Sequence, residues 1–413
     1  MALDPQFDGS LLPETESGWE LFNSVTEKLD EMRKRKIKSK ELSDIRQLQA
    51  QVIANVVVHY LAGECGNGVR VTKAKSDLGK KGHRYAPFVF PRSFPKLVDD
   101  LCSIGFLKQS VGSYSGAKWL SKRTTIRAGD ALIHLINEQG ITRADMTTGG
   151  LHDEVIILRR ASAGYGDAGE RVAYEDNEVT TGYRENLRDI NKWLASADVA
   201  FNAGVYKAPV NAADRQLRRH FSNGSFKKGG RLFGGFWQPL PKEVRRAGIR
   251  IEGEAVVGVD YSSINAALVY WQAGAQPPQG DAYTLPSLES YRPGVKAIFN
   301  GMLFSDVKRF PKGFRKDYAF PSKVRIGEVT AAIRSKHPAL SPFLSGGGIG
   351  HTLQFYESEI LLRALNACRQ EGIIALPIHD CLVVKQSTCE RVKKIMRGEF
   401  KNYTGYQIGV GIE

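Results

Sequence analysis

Two apolar runs decide how this chain reads. Ile249-Arg250-Ile251-Glu252-Gly253-Glu254-Ala255-Val256-Val257-Gly258-Val259 delivers Asp260, and Ile373-Ile374-Ala375-Leu376-Pro377-Ile378 delivers His379-Asp380 ahead of Cys381-Leu382-Val383-Val384. The first predicts two strands about a Glu-Gly-Glu turn, followed by a helix through Ile264, Ala267, Leu268 and Trp271. The second predicts a hairpin with His379-Asp380 at its tip. An ionised carboxylate between apolar strands is costly unless something compensates its desolvation, and a divalent cation does so. The plainer readings are an N-cap for Asp260 and a turn Asp beside a core His for Asp380.

Between these runs lies Tyr291-Arg292-Pro293-Gly294-Val295-Lys296-Ala297-Ile298-Phe299-Asn300-Gly301-Met302-Leu303-Phe304. Arg292, Lys296, Asn300 and Phe304 recur at helical spacing and share one face of a helix that begins near Pro293. Two cations and an aromatic in line suit a triphosphate followed by a base, because the charges neutralise phosphate oxygens and the ring stacks. An amphipathic helix with a basic outer face is the competing reading.

Together these segments resemble the family A DNA polymerases and their relatives, the single-subunit RNA polymerases of phages and mitochondria. The family's Asp-Tyr-Ser-x-x-Glu is matched by Asp260-Tyr261-Ser262-Ser263-Ile264-Asn265, its Arg-x-x-x-Lys helix with a later aromatic by Arg292, Lys296 and Phe304, and its His-Asp hairpin by His379-Asp380. Gly230-Arg231, Asp281-Ala282-Tyr283 and the Gln354-bearing run from His351 to Leu365 are similar to three further landmarks, in the family's order. The resemblance covers residues 230–384.

What it implies is a two-metal nucleotidyl transferase. Asp260 and Asp380 would hold two Mg²⁺ or Mn²⁺ ions, Lys296 would act on the leaving pyrophosphate, and Arg292 would hold the outer phosphate. Phe304, Asn265 and Tyr261 would line the nucleotide, while Arg231, Gln354 and His379 would position primer and template. Glu357 and Glu359 are the candidates for a third carboxylate. Asn265 stands where the DNA-synthesising members have Glu and the RNA-synthesising members Gly, so sugar choice stays open. Asn300 and Cys381 also depart from the DNA polymerase pattern. The expected function is primer extension by a DNA polymerase without proofreading, on a DNA primer–template with RNA as the alternative, and with nucleoside triphosphates as substrates. An RNA-synthesising, primase-like or terminal-transferase enzyme is the first alternative, and a non-catalytic DNA-binding protein the second.

Working outward, the 413 residues exceed one typical domain, and 42% apolar with 25% charged residues describes a folded protein. The net charge of +14 favours a polyanionic partner. Residues 31–130 and 211–413 each carry +12, while 1–30 carry −6 and 131–210 carry −4. Five cysteines without CxxC spacing read as reduced thiols, and no apolar run is long enough for a membrane helix. A cytoplasmic setting, in a bacterium, phage or mobile element, is the expectation.

The expected fold is α+β: a right-hand polymerase with an antiparallel-sheet palm, helical fingers and thumb, and an N-terminal winged-helix-like module. Its parts are a basic segment (1–43) containing Arg33 to Lys40, the winged-helix-like module (44–135), linker and thumb-like helices (136–220), and palm with fingers (221–413). In the module, Ser93 would cap a helix stopped by Gly105, and a Gly112 to Gly116 turn would link strands at Phe106-Leu107 and Lys118-Trp119-Leu120. The thumb helices would occupy 184–220.

Overall fold

A computed structural model describes the chain apart from residues 1–6, 33–38, 64–67, 80–83, 86–87, 114–123, 147–153, 163–168, 209, 213, 279, 306, 345–347 and 413, and apart from the side chains of 39–41 and 203. The fold is mixed α+β, with its described strands paired antiparallel save in one case. It divides into two compact units, Met1–Glu154 and Val155–Glu413.

The first unit runs α1 (Glu16–Met32), α2 (Ser39–Leu61), β1 (Val69–Val71), α3 (Phe94–Ser103), β2 (Leu107–Ser110), β3 (Thr124–Ala128) and α4 (Asp130–Glu138). Its sheet order is β1-β3-β2, with Val69 opposite Ile126 and Leu107 opposite Ala128. Leu21, Val25 and Leu29 of α1 are sealed into the same core as Leu48, Ile53, Val56 and Val57 of α2 and Leu97, Val98 and Leu101 of α3. The N-terminal helix is therefore part of this unit, contrary to a separate 1–43 segment. The spacing of those apolar residues is what makes one stripe per helix.

Gly105 stops α3 region as expected, with φ +78°. Ser93 does stand at the helix start, but its own backbone is helical (φ −77°, ψ −16°) and its hydroxyl makes no capping bond. The strand partner of β2 lies at Thr124–Ala128, later than the sequence suggests; residues 114–123 of the connecting turn and Arg33 to Lys38 of the basic run lie outside the described residues. On the outer side of α3, Asp99 pairs with Lys73 (2.5 Å) and Asp100 with Lys96 (2.9 Å).

The second unit runs β4 (Ile156–Leu158), α5 (Glu178–Ser196), β5 (Val199–Phe201), β6 (Leu217–Ser222), β7 (Ser225–Gly234), α6 (Lys242–Gly248), β8 (Ile249–Ile251), β9 (Glu254–Tyr261), α7 (Ile264–Gln272), α8 (Arg292–Phe304), α9 (Phe314–Asp317), α10 (Ile326–Lys336), α11 (Gly350–Gln370), β10 (Ala375–Ile378), β11 (Cys381–Lys385), α12 (Cys389–Thr404) and β12 (Val410–Ile412). The main sheet has the order β10-β11-β9-β8-β5, and β12 joins the C-terminal end of β9. A second sheet, β4-β6-β7, contains the one parallel pair, β4 with β6.

Helix α5 is capped at its start by Asn177, whose side chain accepts from the Thr180 amide (3.0 Å), and it ends at Ser196. Beyond it the chain turns into β5 and β6, so a helical stretch over 184–220 is not present. Leu187, Ile190 and Leu194 bury against the same core as Leu217 and Phe221 of β6, which makes α5 a cover for the second sheet. The alternation Leu217, Arg219, Phe221 inward and Arg218, His220, Ser222 outward carries the period-two pattern of a half-buried strand.

Candidate active site

Asp260 is the penultimate residue of β9, and its Cα partner across the sheet is Cys381. On the other side of β9, Gly411 of β12 is its partner. Because Ile378 pairs with Cys381, the β10–β11 hairpin closes over two residues only, His379 and Asp380. Asp380 is thus the neighbour of Asp260's cross-strand partner, and the two acids, far apart in sequence, lie at one end of one sheet. Both loops there carry a non-glycine residue in the left-handed region, His379 (φ 55°) and Ser263 (φ 55°). Such backbone costs on the order of 1–3 kcal/mol and collects at functional sites.

The hairpin is held from below by the segment after β7. Trp237, fully buried, donates its indole N–H to the Pro377 carbonyl (2.9 Å), and Gln238 donates to the same oxygen (3.0 Å). Phe233 lies edge-on to His379 with ring centroids 5.8 Å apart. Desolvation, and then the positive charge of Arg231, holds the His379 imidazole below its ordinary range, with Asp380 working the other way.

Arg231 does not stand open toward a primer. Its Nε and Nη2 donate to Oε1 (2.7 Å) and Oε2 (2.8 Å) of Glu357 on α11, and Glu357 is buried. Burial works against the guanidinium charge, but Glu357 and the more distant Asp380 hold its pKa above the ordinary value. One strand over, Arg219 donates to Glu359 (2.5 Å), Ser358 Oγ (3.1 Å) and the Gly230 carbonyl (2.9 Å), and it lies over the rings of Tyr183 and Phe221. Glu357 and Glu359 are therefore arginine partners, which corrects their reading as a third metal carboxylate. Bidentate pairing with Glu357 fixes the Arg231 guanidinium in plane, while Arg219 bonds Glu359 through Nη2 alone; together the two arginines fasten α11 to the β6–β7 hairpin.

Tyr261 also departs from its expected place. Its side chain is 3% exposed, faces Phe400 (6.0 Å) and donates its hydroxyl to the Met396 carbonyl of α12 (3.0 Å). Strand alternation explains this: neighbours in β9 point to opposite faces, so Tyr261 faces the core and is no nucleotide contact.

Helix α8 bears out the single face of Arg292, Lys296, Asn300 and Phe304, all exposed or half-buried while Val295, Ile298, Phe299, Met302 and Leu303 are buried. Arg292 is the first residue of α8 and donates to Asp281 Oδ1 (2.5 Å). Burial opposes the Asp281 charge, yet Arg292, Thr284 and the Tyr283 amide hold its pKa down at about 2. Lys296 is exposed, its ammonium 5.9 Å from the Tyr283 ring centre. Asn265, on the first turn of α7, donates to Asn300 (3.3 Å) and so ties α7 to α8. Phe304 meets His351 edge-on (5.2 Å) at the start of α11, and a methyl group at Gly350 would come within 2.6 Å of that ring. Gln354, one turn on, is half-buried.

Sequence reading missed the Asp281–Arg292 and Arg219–Glu359 pairs. The first joins residues on either side of a loop, the second residues in a strand and a distant helix, and neither leaves a periodic trace. The outward position of Arg218 was open to strand alternation, whereas the burial of Arg219 is the unusual event.

Among the described residues, no three or more His, Cys, Asp and Glu side chains gather as a metal-ligand set. Asp260 and Asp380 supply hard carboxylate oxygens, which suit Mg²⁺ or Mn²⁺ where substrate phosphates and water complete the shell. No described helix is long and apolar enough to cross a membrane. Compared with known proteins, the chain matches no family model and no curated protein.

Proposed function

We propose that the second unit is a template-dependent nucleotidyl transferase resembling the family A DNA polymerases, with the β9 sheet as palm, α8 in the fingers position and primer extension as its reaction. The observation that carries this reading is the pairing of Asp260 with Cys381, which puts Asp260 and Asp380 at the same end of adjacent strands. Asp260 and Asp380 would hold two divalent cations, which activate an attacking 3′-hydroxyl and stabilise charge on the departing pyrophosphate.

The chain's own groups do the rest. Lys296, exposed on α8, neutralises the departing phosphates and is placed to give up a proton at its Nζ. Arg292 reaches the outer phosphate once it exchanges the Asp281 carboxylate for substrate oxygens, both being charge-assisted bonds of one geometry. Phe304 offers a ring for the incoming base. Asn265, fixed by Asn300, borders the sugar and lacks the charge of a Glu, so it rejects a 2′-hydroxyl weakly. Gln354 lines the template side of α11, and His379 orients the primer end beside Asp380. Arg231 acts through Glu357 by holding α11 and the β7 strand together.

The first unit supports a winged-helix-like reading through its order of helix, strand, helix, strand, strand and its β1-β3-β2 sheet. Asp99 and Asp100 lower the positive charge of α3, so the phosphate contacts would fall to basic residues such as Lys118, Lys122 and Arg123, which lie outside the described residues.

The reading is tested by incubating the protein with a primed DNA template, Mg²⁺ or Mn²⁺, and deoxy- or ribonucleoside triphosphates in turn. Template-directed extension with deoxynucleotides is expected; extension with ribonucleotides alone would favour the RNA-synthesising alternative, and no incorporation of either kind would leave a non-catalytic nucleic-acid-binding protein.

A further inference from the structure

Helix α8 passes directly into a strongly basic connection that the catalytic reading does not use. Residues 305–325, between α8 and α10, hold seven lysines and arginines against two aspartates, Asp306 and Asp317. Folding sorts this segment into an apolar inside and a charged outside. Phe314 and Phe320 are buried in the core of the second unit, and Phe310 packs on both, with 5.4 and 5.5 Å between ring centres. Phe320 also reaches Tyr291 beside the start of α8 (5.3 Å), which ties the connection to that helix. Arg315 turns inward: its guanidinium lies over the Phe310 ring (4.2 Å) and donates to the carbonyls of Val324 (2.6 Å) and Pro321. The Phe320 amide closes the same loop on the Arg315 carbonyl (2.8 Å).

What this scaffold leaves outside is charge. Arg309, Lys312, Lys316 and Lys323 are exposed, and among the described residues no carboxylate stands within ion-pair distance of any of the four. Tyr318, between Lys316 and Lys323 in sequence, is 36% exposed and is anchored by Phe314 (4.6 Å between ring centres). Like charges held on one loop repel each other, and a polyanion relieves that repulsion. A membrane surface would require an apolar face, whereas the phenylalanines here are turned inward. A duplex covers the faces of its bases, but an unpaired strand offers both phosphates to the cations and a free base face to the ring. We propose that residues 309–323 form a binding surface for an unpaired nucleic-acid strand, with Arg309, Lys312, Lys316 and Lys323 on its phosphates and Tyr318 against a base. This surface lies outside the residues assigned to catalysis, and binding to it does not depend on nucleotidyl transfer.

The test measures binding of the full chain to a fluorescent oligothymidylate of about 12 nucleotides, by anisotropy across a salt series in chelator without nucleotides. The triple variant Lys312→Ala, Lys316→Ala, Lys323→Ala is expected to make the salt dependence shallower by about two counterions, since an unpaired strand releases roughly 0.7 for each phosphate neutralised. A comparison variant, Lys207→Ala, Lys394→Ala, Lys401→Ala, removes three lysines exposed elsewhere in the second unit and should keep the wild-type slope. Tyr318→Ala is expected to weaken oligothymidylate binding about fivefold while leaving a hairpin duplex of equal phosphate count unaffected, and Tyr318→Phe should keep the wild-type affinity. An unchanged slope in the first triple variant, or an equal flattening in the comparison variant, would overturn the phosphate contacts. Wild-type affinity in Tyr318→Ala, or equal losses for strand and duplex, would overturn the unpaired strand as the partner. Because no synthesis is needed, a chain that binds through this segment yet extends no primer would refute the catalytic proposal alone.

Discussion

His220 illustrates how residue environment sets behaviour. Burial and the nearby Arg159, Arg171 and Arg218 lower its pKa to about 3, while in the unfolded chain it titrates near the ordinary 6.5. The unfolded state therefore binds this proton first, and the stability associated with neutral His220 is lost as pH falls from about 6.5 towards 3. His337, which bonds Tyr270 (2.8 Å) and the Ala282 carbonyl (2.8 Å), is shifted downward chiefly by burial and acts in the same direction. The expected outcome is a thermal midpoint that declines through this window, with a shallower decline in His220→Gln; identical pH profiles would exclude His220 as a contributor. Asp281 has a separate window, because its contribution is present above its ordinary 3.8 and fades as pH falls towards 2. At the same scale, Asp281→Asn frees Arg292 from its carboxylate and is expected to lower the nucleotide KM with little change in kcat, as steady-state extension would reveal. A raised KM would mean that Asp281 positions Arg292 in the bound state as well.

At the scale of elements, the decisive contact is α11 against β7. Gly230 has φ +84°, and a methyl group there would lie 2.7 Å from Ser358 Oγ and 3.1 Å from Arg219 Nη2. Gly230→Ala combines strained backbone with this close approach, so a loss of about 1–3 kcal/mol is expected from denaturant unfolding. Arg219→Ala leaves Glu359 without its guanidinium partner in a half-buried place and is expected to cost about 3 kcal/mol; a wild-type unfolding midpoint would show that water replaces the guanidinium without loss. The hairpin of β10 and β11, the β8–β9 turn, α7 and α8 were legible in the sequence because each is governed by local alternation, helical spacing or a turn residue, whereas the run that forms α11 was picked out only through the family resemblance. The extent of α5 was not, since Leu217 and Phe221 continue an apolar pattern that alternation in β6, and not helical spacing, produces. The two aspartates were legible as separate acids, but only sheet register joins them. Glu357 was a candidate only for its nearness in sequence to the His-Asp hairpin, and its arginine partner, distant in sequence, leaves no local trace.

On the scale of the whole molecule, the chain consists of two units, each with its own core, and every residue assigned to chemistry lies in Val155–Glu413. On the proposed reading, the net charge of +14 would make phosphate contact the main source of nucleic-acid affinity, so oligonucleotide binding is expected to fall steeply between low and physiological salt. The central claim is that Asp260 and Asp380 act as one cation-holding pair. It is tested most directly by comparing primer extension by the wild-type chain, Asp260→Ala, Asp380→Ala and the double variant, each also assayed for primer–template binding. The expected result is a loss of several orders of magnitude in either single variant, roughly the same loss in the double variant, and retained binding. Wild-type extension by Asp380→Ala would contradict the claim.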